Sequence, residues 1–245
     1  MSVDDRLSQG IGPAAVIALK QAAAEDDTNA APAWCARLAR FGLVEAAQDH
    51  FRPAAESGDL ASIKCMVWLA WEVGQENDAV TWLGRAAQDG DPWAMYELGR
   101  SLPQEAERWY RRAAEAGHAP AMNNLGSLLS RAGHRDEAMD WYRRSAEAGF
   151  DIAMNNLAIQ YVLQGSNTDA ERWFREAATG GSVDGMANLG RLKLEADDLP
   201  EAESWLTAAA EKGHAGAVEL LADLLTRTGR ADEAAAWRTR TAPGP

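Results

Sequence analysis

Three asparagines that recur at a fixed interval have side chains suited to binding a peptide. Asn124, Asn156 and Asn188 are equally spaced along the chain, and Asn123 and Asn155 form a second, shorter row beside them. A carboxamide offers both donors and an acceptor, which are the groups that the backbone of an extended peptide needs. The pattern predicts a peptide-binding row or, alternatively, amides that bond within a helix pair and set its packing.

A second candidate site contains two tryptophans, Trp68 and Trp71, whose spacing places them on one side of a helix. Such a pair would anchor an apolar group of a partner; the alternative is a variant core in an irregular repeat. We assign Tyr96, Arg100 and Arg191 to the same partner-binding set. Further positions expected on this inner surface, whose charges are mixed, are Lys64, Glu72, Ser127, Arg131, Ile159 and Glu195.

The remaining reactive residues form no pattern typical of catalysis or metal binding. Cys35 and Cys65 are the only two cysteines, too few for a disulfide framework or a zinc set, and we expect both to be buried free thiols. The four histidines show no recurring ligand spacing. No phosphate-binding glycine loop or nucleophile elbow occurs. We therefore expect no enzymatic activity, no metal and no cofactor.

Charge and hydropathy exclude two classes of partner. The net charge of -13 argues against nucleic acid, because surfaces that bind phosphates are basic. Charged residues interrupt every apolar stretch well before it reaches the length of about 18 residues that would suggest a membrane span. The first residues are acidic and lack the basic and apolar segments of a signal peptide. We expect a cytoplasmic protein without a membrane partner.

Tryptophan marks an internal repeat. A constant interval of about 32 residues separates successive members of the row Trp109, Trp141, Trp173, Trp205 and Trp237. Trp82 precedes this row by a shorter interval. Stepping back from Trp82 by the regular interval gives His50 and then Ala18, where the flanking pattern is weaker. The sequence thus predicts about seven repeat units.

Each unit contains the pattern of two amphipathic helices. Ala138, Tyr142 and Ser145 recur at helical spacing in one helix, and Leu125 and Leu129 do so in the other. Because neither helix can bury its apolar face alone, each hairpin must stack on its neighbours. Glycines suited to closing a helix follow the tryptophan-bearing helix at positions 90, 117, 149, 181 and 213.

Residues 106–126 read Ala-x-x-Trp-Tyr-x-x-Ala-Ala-x-x-Gly-His-x-x-Ala-Met-x-x-Leu-Gly. This combination resembles the Sel-one-like branch of the tetratricopeptide repeat superfamily, and the resemblance extends over roughly residues 14–240. It implies an all-α fold, a right-handed α-solenoid of stacked antiparallel helix hairpins. It also implies that the asparagine row is used as peptide-binding members of the superfamily use asparagines of their inner helices.

The expected organisation is one solenoid over residues 13–240, preceded by a flexible lead-in over 1–12 and followed by a disordered tail over 241–245. The repeat is degraded before residue 79. It is shortened around 100–108, where Pro103 predicts that a helix ends early.

Extended concave surfaces are what solenoids offer to partners. The leading functional hypothesis is therefore a non-enzymatic adaptor whose concave face binds a peptide or a partner protein. One alternative is a regulatory subunit whose ligand or peptide binding controls a separate effector, and an enzyme is less well supported. Pairing of two copies through an open end of the array would make a homo-oligomer.

Overall fold

The computed structural model describes residues 11–25, 27 and 30–240, with the side chains of 14–25, 27 and 30–239. Within those residues the chain forms fifteen α-helices and no strand. The predicted all-α class is confirmed. The lead-in over residues 1–10 and the tail over 241–245 lie outside the described residues. The first helix begins at Ile11, before the expected start of the solenoid.

The contacts divide the chain into an amino-terminal unit, residues 1–118, and a carboxy-terminal unit, residues 119–245. The amino-terminal unit contains α1 Ile11–Ala24, α2 Ala30–Arg40, α3 Val44–Glu56, α4 Leu60–Glu72, α5 Glu76–Gln88, α6 Pro92–Ser101 and α7 Ala106–Glu115. The carboxy-terminal unit contains α8 Ala119–Arg131, α9 Arg135–Glu147, α10 Asp151–Leu163, α11 Asn167–Thr179, α12 Val183–Glu195, α13 Leu199–Glu211, α14 Ala215–Arg227 and α15 Ala231–Arg240.

Helices pair as hairpins within each unit. In the carboxy-terminal unit the pairs are α8 with α9, α10 with α11, α12 with α13, and α14 with α15. The chain reverses at Gly133, whose φ of 87° is the left-handed conformation that a side chain disfavours. The N–H of His134 then donates to the Leu129 carbonyl at 2.9 Å, which closes α8. The predicted stack of helix hairpins is confirmed.

The irregular interval between Trp82 and Trp109 has a local structural cause. Helix α6 ends at Ser101 after 10 residues, whereas α8 has 13 residues. Pro103 then begins a short 3-10 turn that leads into α7. Proline cannot donate a backbone hydrogen bond, so an α-helix does not continue through this point.

The core of the carboxy-terminal unit has a leucine at the same place in each hairpin, namely Leu125, Leu157, Leu189 and Leu221, each at most 1% exposed. The next position is small, because the following helix approaches closely there. A Cβ atom added to Gly126 would lie 2.9 Å from the ring of Tyr142. The Tyr142 hydroxyl donates to Ser127 Oγ at 3.0 Å, which holds the ring in place, and burial raises the pKa of Tyr142.

The repeated tryptophans and both cysteines belong to the packing. Trp82, Trp141 and Trp173 are at most 8% exposed. Arg144 lies over the ring of Trp141, 4.2 Å from its centroid, so one face of the indole is covered by the guanidinium. Cys35 and Cys65 are buried free thiols, as the sequence predicts, and burial raises the pKa of both.

Four charged residues connect three helices on the surface of the carboxy-terminal unit. Arg175 lies 2.6 Å from Glu201 and 2.5 Å from Glu171, while Lys193 lies 3.0 Å and 2.7 Å from the same two carboxylates. Hydrogen bonds from Arg175 and then from Lys193 lower the pKa of Glu201 to about 2. The ion pairs that join α13 to α11 and α12 therefore depend on the ionised form of Glu201, whereas Lys193 and Glu171 join α12 to α11 without it.

We predict that Gly126→Ala destabilises the fold by about 1–3 kcal/mol, because the new methyl group overlaps a ring that cannot move away. Gly84→Ala is the matched control, since Gly84 lies inside α5 with no atom within 4 Å of the added Cβ. It should stabilise the helix by about 0.5–1 kcal/mol. Urea unfolding followed by circular dichroism measures both changes, and equal effects of the two substitutions would refute this packing role.

The stability of the fold should also depend on Glu201 at acid pH. The folded-state pKa is lowered from 4.5 to about 2, so the contribution is present above pH 4.5 and is lost as the pH falls towards 2. We expect Glu201→Gln to reduce the loss of unfolding free energy across this window. Glu147→Gln, at an exposed carboxylate outside the group, should retain the wild-type acid dependence; identical curves for all three proteins would contradict the prediction.

Candidate protein-binding site

The asparagines form a hydrogen-bonded ladder that joins successive hairpins of the carboxy-terminal unit. Asn156 Nδ2 on α10 donates to Asn123 Oδ1 on α8 at 2.8 Å. In the same way, Asn188 Nδ2 on α12 donates to Asn155 Oδ1 on α10 at 2.9 Å. The two acceptor residues are buried, at 6% and 8% exposure. The packing alternative therefore applies in a different form: these two hydrogen bonds join neighbouring hairpins and not the two helices of one hairpin.

The outer row of the ladder retains atoms that face away from the packing. Asn124, Asn156 and Asn188 are all half-buried. Asn124 accepts from Asn123 Nδ2 at 3.3 Å, while its own Nδ2 makes no hydrogen bond within the described chain. The Oδ1 atoms of Asn156 and Asn188 likewise accept none from the described residues. The outer row thus has one donor group, on Asn124, and two acceptor atoms, on Asn156 and Asn188, that are available to a ligand.

An apolar stripe accompanies the outer amides on α10. Ile152, Asn156, Ile159 and Leu163 follow one another at the alternating intervals that place them on one face of the helix. Ile152 is 51% exposed and Leu163 is 64% exposed. Exposed isoleucine and leucine side chains aligned along one helix are typical of a surface that contacts another molecule.

Polar and charged side chains lie at the equivalent places of the neighbouring helices. On α8 these are Ser127 and Arg131, and the Arg131 Nε donates to the Ser127 carbonyl at 3.3 Å. On α12, Arg191 is half-buried and lies 2.7 Å from Glu195, so its charge is already paired. We call the surface formed by these side chains the inner face. It comprises the amides of Asn124, Asn156 and Asn188, the apolar stripe on α10 and the flanking residues on α8 and α12.

Trp68 and Trp71 lie in the amino-terminal unit, apart from the asparagine ladder, and they pack with a third tryptophan. Their ring centroids are 5.1 Å apart at an interplanar angle of 78°. Trp93 on α6 lies 5.6 Å from Trp68 and 6.3 Å from Trp71. Trp93 is 6% exposed, whereas the other two are half-buried. We name these three residues the tryptophan cluster.

A buried ion pair lies next to the tryptophan cluster. Lys64 Nζ lies 3.2 Å from Asp91 Oδ2, and both side chains are less than one-tenth exposed. The same ammonium group lies 5.3 Å from the centroid of Trp93. Asp91 also accepts from the backbone N–H of Ala94 at 2.7 Å and so caps α6. The pair fixes the start of α6, and with it the position of Trp93.

Tyr96 and Arg100 lie on the next turns of α6. The Tyr96 ring is 4.8 Å from the ring of His118 and 5.9 Å from that of Tyr110. The Arg100 guanidinium is largely exposed and lies 3.0 Å from Glu97, a buried carboxylate whose pKa is raised by burial. Tyr96 is therefore part of a ring stack, and Arg100 neutralises a buried acid.

Sequence reasoning missed Trp93, Asp91 and Glu97 in this region. Trp93 falls outside the row of regularly spaced tryptophans, as Trp68 and Trp71 do. That shared irregularity was the available signal for grouping the three. Among the described residues, no three potential metal ligands cluster and no helix could cross a membrane.

Two repeat-family profiles match hairpins of the chain. A tetratricopeptide repeat profile matches residues 119–148 and 152–180, which are the hairpins α8–α9 and α10–α11. A Sel1 repeat profile matches residues 94–118 and 183–214, which cover most of α6–α7 and α12–α13. No curated protein sequence gives a significant match.

Solved structures share the fold. A Sel1 repeat protein from Oxalobacter formigenes superposes with a TM-score of 0.67 at 23% identity, over 87% of this chain and 97% of that one. PilF of Pseudomonas aeruginosa gives 0.60 at 18% identity, over 81% and 95%. PilW, described as a type IV pilus biogenesis factor, gives 0.53 at 18% identity, over 71% and 88%. At these identities the likeness concerns the fold alone.

The hairpin geometry and the matched profiles agree, and the chain therefore contains Sel1 and tetratricopeptide repeats within residues 94–214, as its tryptophan-marked pattern predicts.

Proposed function

We propose that the chain is a non-enzymatic adaptor that binds a peptide or a partner protein on the inner face of α8, α10 and α12. Sel1 and tetratricopeptide repeats are scaffolds that commonly mediate protein–protein interaction. The finer assignment, to this face, comes from its side chains. They combine hydrogen-bonding groups with an apolar stripe, and neither a charged pocket nor a set of nucleophiles is needed for binding of this kind.

The proposal rests on the different roles of the two rows of amides. The buried Asn123 and Asn155 hold Asn156 and Asn188 in fixed orientations. The outward oxygen atoms are therefore positioned before a ligand arrives. Because these atoms are already fixed, the adaptor's side chains lose little conformational freedom when a partner binds. Preorganisation of this kind raises affinity.

The donors and acceptors of the outer row suit an extended main chain. A peptide backbone presents N–H and C=O groups alternately, and the outer row offers acceptors at Asn156 and Asn188 and donors at Asn124. Ile159 and Leu163 lie beside this row and would cover an apolar side chain of the peptide. Hydrogen bonds would then set the register of the ligand, while burial of apolar surface would supply most of the free energy of binding.

We predict that replacing Asn124, Asn156 and Asn188 together by alanine abolishes capture of the protein partner from native lysate, because the outward amide atoms are lost. The measurement is a pull-down with the tagged full chain, quantified by mass spectrometry against wild type.

The matched control is the double variant Asn123→Ala and Asn155→Ala. It removes the same two inter-hairpin hydrogen bonds but keeps every outward amide. We expect it to weaken capture without abolishing it, because the outward amides remain but are no longer held in place, and to lose about 0.5–1.5 kcal/mol of stability per bond. Equal loss of capture in both variants would assign the asparagines to packing, and unchanged capture in the triple variant would exclude the amide row as the binding surface.

A further inference from the structure

The tryptophan cluster has two indole N–H donors with no acceptor in the described part of the chain. Trp68 Nε1 and Trp71 Nε1 make no hydrogen bond to any described residue, and both rings are half-buried. An indole N–H usually finds a partner when its ring is in a packed site. The Nε1 atoms of Trp109 and Trp173 also lack an acceptor among the described residues, but they are buried, so a ligand cannot reach them.

The cluster is built as a fixed surface. The buried ring of Trp93 packs against the two half-buried rings, and Lys64 of the buried Lys64–Asp91 pair lies 5.3 Å from the centroid of Trp93. The angle of 78° between Trp68 and Trp71 makes the two rings adjoining walls of a corner. Aromatic side chains have few rotatable bonds, so they bind at a low entropic cost.

The charge beside the cluster is negative. Glu72 is the last residue of α4, one turn beyond Trp68, and its exposed carboxylate has no ion-pair or hydrogen-bond partner among the described residues. The carbonyl groups at the end of α4 add a partial negative charge at the same place. This edge of the cluster is therefore complementary to a basic side chain.

We propose that the tryptophan cluster binds a proline-rich segment that carries a basic residue. A polyproline II helix makes no internal hydrogen bonds, so its carbonyl oxygens are free to accept from the two indole N–H groups. Its proline rings stack on aromatic faces, and its backbone is ordered before binding. The basic residue pairs with Glu72. This inference rests on the adaptor function proposed above, but it concerns a different surface in the other unit.

The test is direct binding of a fluorescein-labelled peptide of proline pairs separated by arginine to the purified full chain, followed by fluorescence anisotropy. We expect saturable binding that is lost when alanine replaces proline in the probe, and weakened when glutamate replaces arginine. Trp68→Phe and Trp71→Phe each keep a ring but remove the N–H donor. Each should weaken binding roughly threefold to tenfold, as loss of one hydrogen bond does.

Two further variants distinguish a specific loss of binding from a loss of folding. Glu72→Gln changes an exposed side chain and should weaken binding at low salt but not at high salt, because an exposed pair is screened. Trp109→Phe, on α7 of the same unit and outside the cluster, should bind as wild type does. Failure of the probe to bind, equal binding of the alanine peptide, or indifference to all three cluster variants would overturn the inference. Partner capture through the asparagines would be unaffected by that result.

Discussion

The hydrogen bonds between asparagines of successive hairpins are the interaction on which the candidate surface depends. A lone buried amide would be costly, because its donors and acceptor lose water without compensation. Asn123 and Asn155 avoid this cost by accepting from the next hairpin. The same bonds join α8 to α10 and α10 to α12. They therefore determine both the packing of successive hairpins and the orientation of the outward amides.

A second arrangement of this kind occurs in the amino-terminal unit, with charges in place of amides. Lys64 occupies the position in α4 that Asn123 occupies in α8, counting from the first residue of each helix. Its partner, Asp91, lies at the start of the next hairpin and caps α6. Both units therefore join consecutive hairpins through a polar contact at a similar place, and in both a half-exposed set of side chains lies next to that contact.

The repeat pattern predicted the hairpins because its signals are local. Glycines after helices, leucine followed by a small residue, and regularly placed tryptophans each follow from the geometry of one helix or one turn, as at Gly133 and Gly126. The direction of the asparagine bonds could not be read in this way, since it depends on contacts between residues 33 positions apart. Trp93 was missed for the same reason: its neighbours, Trp68 and Trp71, belong to the preceding hairpin.

The ladder also restricts how the repeats can be exchanged. Each asparagine pair that joins two hairpins takes its acceptor from one repeat and its donor from the following one. Where α12 carries Ala187 and not an inner amide, α14, the first helix of the next hairpin, carries Leu220 and not an outer one, so the series ends there without an unpaired inner amide. Repeats that look alike in sequence are therefore not interchangeable modules. Shuffling their order, in evolution or in protein engineering, would leave a donor facing a methyl group unless both members of a junction were moved together.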